Sequence, residues 1–268
     1  MNNVKISCII PTCDRYDLLL ETLNSVINQT KKPLEIIIVN NGKFNLEEIE
    51  TKSDLIKIYN IIEYAGVSQA LNFGASIAKG EYIAFLEDDD LWEKNYLKNI
   101  SDAISPTYQI YVSRIDKLYK NKIYKYKNAT NKIDLKNLLI KNPGINISNL
   151  CVNKKSFMKL SGFDPLISVG ADKSFAIDCL LSNLSFKVLE NNQEICRFHE
   201  GYRVSKNPKK LISSQIAFYR KYKKIMNYYQ KFFLLYKIVF LMIFKKYNLK
   251  LIFLLRQIII IFEYNLII

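Results

Sequence analysis

The chain has 268 residues, 49% of them hydrophobic and 24% charged, with only 8 Gly and 6 Pro. That excludes a disordered or fibrous chain and fits one α/β domain with an appendage. The formal charge of +14 is unevenly spread: residues 1–200 carry 25 Lys+Arg against 24 Asp+Glu, whereas residues 201–268 carry 14 against one, Glu263. The first 200 residues are therefore near-neutral at +1, and a net of +13 belongs to the tail. The five cysteines (Cys8, Cys13, Cys151, Cys179, Cys196) are odd in number and form no C-x-x-C pair, which excludes a disulfide scaffold or zinc ribbon and suits a reducing compartment. The N-terminal MNNVKISCIIPT holds too short an apolar stretch for a signal peptide.

Along the chain, KISCII (5–10) reads as a buried strand stopped by Pro11. Asp14 stands as the N-cap of a helix whose apolar residues Leu18, Leu19, Leu23, Val26 and Ile27 share one face. LEIIIV (34–39) is a second strand, closed by the turn signal Asn40-Asn41-Gly42. A short helix (46–52), a strand near 56–62 and a helix over 68–78, stopped by Gly80, lead to a fourth strand, YIAFL (82–86). This strand runs straight into Glu87-Asp88-Asp89-Asp90. The β-α rhythm predicts a doubly wound, mostly parallel α/β sheet, in which ligands bind outside the carboxyl ends of the strands. Pro11-Thr12, Asn40-Asn41 and Glu87–Asp90 all fall at such ends, so three strands deliver polar residues to one edge. Beyond it, KLYKNKIYKYK (117–127) alternates like an exposed hairpin.

Four successive acids cannot all be buried as anions without a cation or solvent. Read alone, the run is either a divalent-metal site or a solvated turn capping the next helix. The eight glycines form neither G-x-G-x-x-G nor G-x-x-x-x-G-K, which disfavours a Rossmann oxidoreductase or a P-loop NTPase. A bound diphosphate would have to be neutralised by metal, such as Mg²⁺ or Mn²⁺ on carboxylate oxygens.

The succession IIPTCDR (9–15), EIIIVNNG (35–42), ALNFGASIAKGEYIAFLEDDDLW (70–92), LSGFD (160–164), GADKSF (170–175) and RFHEGYRVS (197–205) resembles a family 2 glycosyltransferase of the GT-A fold. The resemblance covers residues 4–205. It implies that Pro11, Thr12 and Arg15 lie beside the nucleotide and that Asn40 and Asn41 sit where base and ribose are read. Asn72, Glu87 and Asp88 join the nucleotide site, Asp89 is the metal ligand with His199 closing over the metal or diphosphate, and Asp172 is the catalytic base. The chain departs from the family pattern at Asn40-Asn41 (usually Asp-Asp), Glu87 (usually Asp), Leu71 (often Arg) and Ala171 (usually Glu). Asp172 also reads as an N-cap for the SFAIDCLL helix, Asp164 as a turn residue, and Trp92 as packing beneath the metal loop.

The chain thus divides, by sequence, into a catalytic domain (1–205) and a basic, apolar helical tail (206–268). After Lys231 the longest charge-free run is seven residues, Ile238–Phe244, too short for a transmembrane helix. Either the tail packs on the catalytic domain or it lies in the membrane interface with its lysines at the headgroups. Lysines interleaved with Ile, Leu and Phe do not suggest nucleic-acid binding. The reading implied is an inverting, metal-dependent transferase peripheral to the cytoplasmic face of the inner or plasma membrane. It would move a hexose or N-acetylhexosamine from a UDP-sugar to a glycan or lipid-linked glycan acceptor of a surface polysaccharide or lipopolysaccharide. The alternatives are a dTDP-deoxysugar transferase and a non-catalytic nucleotide-sugar-fold scaffold.

Overall fold

The first apolar run becomes β1 (Ile6–Thr12), with all seven residues buried. A computed structural model describes residues 4–120, 122–127, 133–197 and 207–247. They belong to two compact units, residues 1–202 and 203–268. In the first unit β1 is followed by α1 (Tyr16–Ile27), β2 (Glu35–Asn40), α2 (Glu47–Glu50), β3 (Ile56–Asn60), α3 (Val67–Ile77) and β4 (Tyr82–Phe85). These four strands pair in parallel in the order β3-β2-β1-β4. Pro11 lies beyond the last β4 partner of β1, Ile9↔Phe85, so its missing N–H interrupts no ladder on that side.

Period-two alternation puts helices on both faces. Cys8, Ile10, Ile36 and Ile38 share one core cluster with Leu19 and Leu23 of α1. Ile9 and Val39 point to the opposite face, under α3, where a Cβ added at Gly74 would stand 2.6 Å from Ile9 Cγ2. Glycine lets that helix approach the sheet.

After β4 the sheet becomes mixed. It continues through β5 (Leu91–Trp92), α4 (Tyr96–Ala103), β6 (Ile110–Tyr119), β7 (Lys122–Lys127), α5 (Leu135–Ile140) and a 3-10 turn at Ile147–Asn149. Then come β8 (Leu150–Asn153), α6 (Lys154–Lys159), α7 (Ala171–Leu181) and β9 (Phe186–Arg197). β8 runs antiparallel to β4 and to the first half of β6, and β9 runs parallel to β6. The lysine/tyrosine stretch is indeed a hairpin, β6–β7, with Ile123, Tyr124 and Tyr126 exposed.

Two capping expectations are corrected. α1 is preceded by Arg15, not capped by Asp14. Asp14 has a positive φ of 54° and turns its carboxylate to Lys43 N (2.7 Å), Phe44 N (3.3 Å) and Tyr64 Oη (3.1 Å), tying the β1 and β2 exits together. At α7 the N-cap is Gly170, with φ 87°, and Asp172 falls in the first helical turn.

The second unit contributes α8 (Pro208–Tyr222) and α9 (Tyr228–Tyr247). Among the described residues no helix is long and apolar enough to cross a membrane.

Candidate active site

The parallel register sets Thr12 beside Asn40, and the turn after β4 brings the acidic run to the same edge. Thr12 Oγ1 donates to Asp88 Oδ2 at 2.7 Å. Arg15 forks between two acids, pairing Nη2 with Asp88 and Nη1 with Asp89 Oδ2 at 2.7 Å. The acids alternate in burial: Asp88 and Asp90 are buried, whereas Glu87 and Asp89 remain partly open. A tight turn carrying Asp90 N→Glu87 O at 3.1 Å produces that alternation.

Burial pushes the Asp88 carboxyl up to about 6, with the Arg15 charge and the Thr12 hydroxyl pulling against it. Glu87 is raised well above the ordinary carboxylate range, first by burial and then by the charges of Asp89 and Asp90. Asp90 stands at about 6 through burial and the Asp89 charge, held down by Ser148 Oγ (2.7 Å) and the Arg197 N–H (3.0 Å). Behind it lies Glu194, fully buried on β9, raised well up by burial and by Asp90. Among the described residues, Asp90, Glu194 and Cys196 hold ligand-type atoms within 4.8 Å of one another.

Glu87 and Asp89 are the less buried acids of the run and carry hard oxygen donors of the kind suited to Mg²⁺ or Mn²⁺, although Asp89 Oδ2 is paired with Arg15. Their neighbour Asp88 is already committed inward to Thr12 and Arg15. His199 lies outside the described residues.

Ser148, not singled out in the sequence, locks this edge. Its hydroxyl accepts from Glu87 N (3.1 Å) while donating to Asp90, and its carbonyl accepts from Trp92 Nε1 at 2.8 Å. Trp92 is buried and stacks on Tyr96 with ring centroids 4.4 Å apart, so it packs beneath the acidic turn.

Asn40 and Asn41 are spent on the β2 exit loop. Asn40 donates to Phe44 O (3.0 Å) and Asn60 Oδ1 (2.9 Å) and accepts from Gly42 N (3.0 Å). The Asn41 amide satisfies both neighbours with its nitrogen toward Thr12 O (2.6 Å) and its oxygen toward Gly66 N (3.2 Å). A cleft of about 440 Å³ opens beside this loop, lined by Asn40, Lys43, Phe44, Asn60 and Glu63 among others. Leu71 is wholly buried.

Asn72 also faces protein. It donates to Phe163 O (2.8 Å) and accepts from Phe163 N (2.9 Å), clamping the Gly162-Phe163 turn across 91 residues. Gly162 has φ 69°, and a Cβ there would lie 2.3 Å from Asn72 Oδ1. Phe163 packs with Phe85, Phe157 and Phe175 at centroid separations of 5.2 Å, and Phe157 lies 5.1 Å from both Phe85 and Phe175. That quartet joins the end of β4 to α7 and so positions Asp172.

Asp172 is half-buried and accepts from Asn142 Nδ2 at 3.0 Å. Burial raises its carboxyl above the ordinary range, opposed by the Lys173 N–H and by Asn142. Asn142 opens an Asn-Pro-Gly turn, and its Oδ1 accepts from Gly144 N (3.0 Å) and Ile145 N (2.8 Å). The Asn-Pro-Gly signal was present in the sequence; its partner Asp172, thirty residues on, was not readable from it.

The structure therefore joins Thr12, Arg15, Asp88 and Asp89 in one network, with Pro11 next to it on β1. It places Asn40-Asn41 at the adjoining loop, turns Asn72 to Phe163, and holds Asp172 on α7 by Asn142.

The glycosyl transferase family 2 profile matches residues 7–160 of the chain. A protein of Rickettsia bellii described as an uncharacterized glycosyltransferase is 34% identical over 103 residues, covering 37% of this chain and 15% of its own. The minor teichoic acid biosynthesis protein GgaB of Bacillus subtilis is 36% identical over 105 residues, 37% of this chain and 12% of its own. The chain thus aligns with only a small part of these relatives' length. Among solved structures, TarS 1–349 of S. aureus in complex with UDP-GlcNAc superposes with a TM-score of 0.66 at 16% identity, over 88% of this chain and 72% of that one. The likeness identifies the GT-A fold. With the profile spanning more than half of the chain, the protein belongs to glycosyl transferase family 2.

Proposed function

We propose that the protein transfers a hexose or N-acetylhexosamine from a UDP-sugar to a glycan or lipid-linked glycan acceptor in cell-surface polysaccharide synthesis, with inversion. The observation that carries this reading is the split at the strand edge. Asp88 is buried against Thr12 and Arg15, whereas Glu87 and Asp89 are the half-buried acids at the edge, with Asp89 sharing the Arg15 guanidinium. The teichoic-acid role named for GgaB and the UDP-GlcNAc bound by TarS support the choice of pathway and donor class.

In this reading Thr12 and Arg15 border the diphosphate and Pro11 the nucleoside. Asn40 and Asn41 shape the base pocket by fixing its loop, and Asn72 supports the site through Phe163. Asp89, with Glu87 and with His199 in support, would hold Mn²⁺ or Mg²⁺, which would supply positive charge beside the nucleoside diphosphate leaving group. Asp172 accepts the proton of the acceptor hydroxyl as its oxygen bonds the anomeric carbon and the bond to the diphosphate oxygen breaks. A raised carboxyl makes Asp172 a stronger base once ionised. A single carboxylate on the acceptor side suffices, unlike the flanking pair of a hydrolase.

The test is calorimetric titration with UDP, dTDP, GDP and CMP, with and without Mn²⁺, followed by turnover with nucleotide sugars. Metal-dependent UDP binding lost in Asp89→Ala, with Asp172→Asn binding UDP normally but losing about 100-fold or more in turnover, is the expected result. Preference for dTDP would move the donor to a deoxysugar nucleotide. No nucleotide binding by folded protein, or near-normal turnover in Asp172→Asn, overturns the reading; binding without transfer would favour a scaffold.

A further inference from the structure

The second unit is built as a helical hairpin. Asn207 caps α8, accepting from Lys209 N (3.0 Å) and Lys210 N (3.2 Å), with Pro208 at the first helical position. At the α9 entrance Asn227 and Gln230 bond reciprocally, Gln230 N→Asn227 Oδ1 at 2.8 Å and Asn227 N→Gln230 Oε1 at 2.9 Å. Phe218, Tyr222, Met226, Phe233, Leu234 and Ile238 are buried. A soluble hairpin would leave polar residues on the other side of α9. Instead Phe232 (61% exposed), Leu235, Tyr236, Val239 (53%), Met242 and Ile243 lie open. Their spacing of 3, 4, 7, 10 and 11 from Phe232 is one continuous helical stripe.

Charge says what covers it. Residues 207–247 contain ten Lys or Arg and no Asp or Glu. Lys209, Lys210, Arg220, Lys221, Lys223 and Lys224 are exposed, the last two beside exposed Ile225 and Tyr228. A second copy on the stripe would bring another ten positive charges against these. A nucleic acid would meet the charge but leave the stripe in water. An anionic lipid surface answers both, with headgroup phosphates for the lysines and acyl chains for the stripe.

We propose that α8 and α9 dock on an anionic membrane surface, α9 lying in the interface plane with the Phe232–Ile243 stripe inserted. The helix does not span the bilayer: Lys231 and Lys237 interrupt it, and no described helix is apolar enough to cross. This docking concerns the second unit alone and does not depend on the transferase reading.

The experiment is flotation of the full-length protein with phosphatidylcholine vesicles, with and without phosphatidylglycerol. Binding should require phosphatidylglycerol. It should fall at least about tenfold in Leu235→Asp/Val239→Asp, which strips apolar contact from the stripe. Each of Lys223→Gln and Lys224→Gln should weaken it about fivefold. Helical circular dichroism and melting temperature, measured on the same samples, report that the variants are folded. Equal binding to both vesicle types, or undiminished binding of the stripe variant, overturns the proposal. So does a lipid-free dimer that the stripe variant dissociates, since the stripe would then seat a second copy.

Discussion

Asp90 shows how one carboxyl is tuned by its place in the chain. Burial and the neighbouring Asp89 charge move its titration up to about 6 from an ordinary 3.8, against the Ser148 hydroxyl, the Arg197 N–H and Glu194, which hold it down. Folded protein therefore holds this proton more tightly than unfolded chain does. The stabilisation is fully present below about 4 and is lost as pH rises through about 6. At about 1.4 kcal/mol per pH unit, the single group can shift stability by at most about 3 kcal/mol across that window. Asp14 and Glu35 are lowered, by the Lys43 N–H at Asp14 and by Lys57, Lys79 and Ser7 against burial at Glu35, and they act with the opposite sign. The informative quantity is thus a difference between two proteins. In chelator, wild-type protein should gain melting temperature between pH 7 and pH 4.5 relative to Asp90→Asn. Parallel melting curves for the two would refute the raised titration of Asp90.

Between elements, the phenylalanine quartet does the joining. Phe85 ends β4 just before the acidic run, Phe157 sits on α6, Phe163 follows the Gly162 turn, and Phe175 is on α7 three residues after Asp172. Removing the central ring in Phe163→Ala should cost about 3–5 kcal/mol. For a unit of this size that lowers the melting temperature on the order of 10 °C. Because α7 would lose its anchor while Thr12, Arg15 and the acidic turn keep theirs, turnover should fall more than UDP affinity does. An equal loss of both would show that the quartet supports the whole site rather than the base. This is also where sequence reading stops. The four parallel strands were legible because their apolar runs are punctuated by Pro11, Asn40-Asn41-Gly42 and Glu87, and the edge they share followed from parallel topology. The role of Asn72 was not, because its partner Phe163 is 91 residues away and only the fold brings them together. Asp14 misled for a related reason. An Asp before a helix is a favoured cap, but a positive φ swings its carboxylate to the β2 loop instead. Glu194 gave no signal at all, since nothing in FKVLENNQEICR distinguishes a buried glutamate from a solvated one.

At the scale of the molecule, charge and chemistry reside in different units. Residues 1–200 carry the acidic edge and a net of +1, while residues 201–268 carry +13. If the second unit docks as proposed, attraction to an anionic surface would concentrate the protein there and should decide which acceptor is reached rather than how fast transfer occurs. The separation can be read from two acceptors bearing the same glycan, one water-soluble and one lipid-anchored in phosphatidylglycerol vesicles. Leu235→Asp/Val239→Asp should leave kcat and KM for the soluble acceptor unchanged and raise the apparent KM for the anchored one at least about tenfold, the factor lost in surface affinity. High salt should act on wild-type protein in the same direction, because it screens the lysines but not the stripe. If the variant instead loses activity equally on both acceptors, the second unit is required for the catalytic fold itself. The apolar stripe would then be a packing surface and not a membrane one.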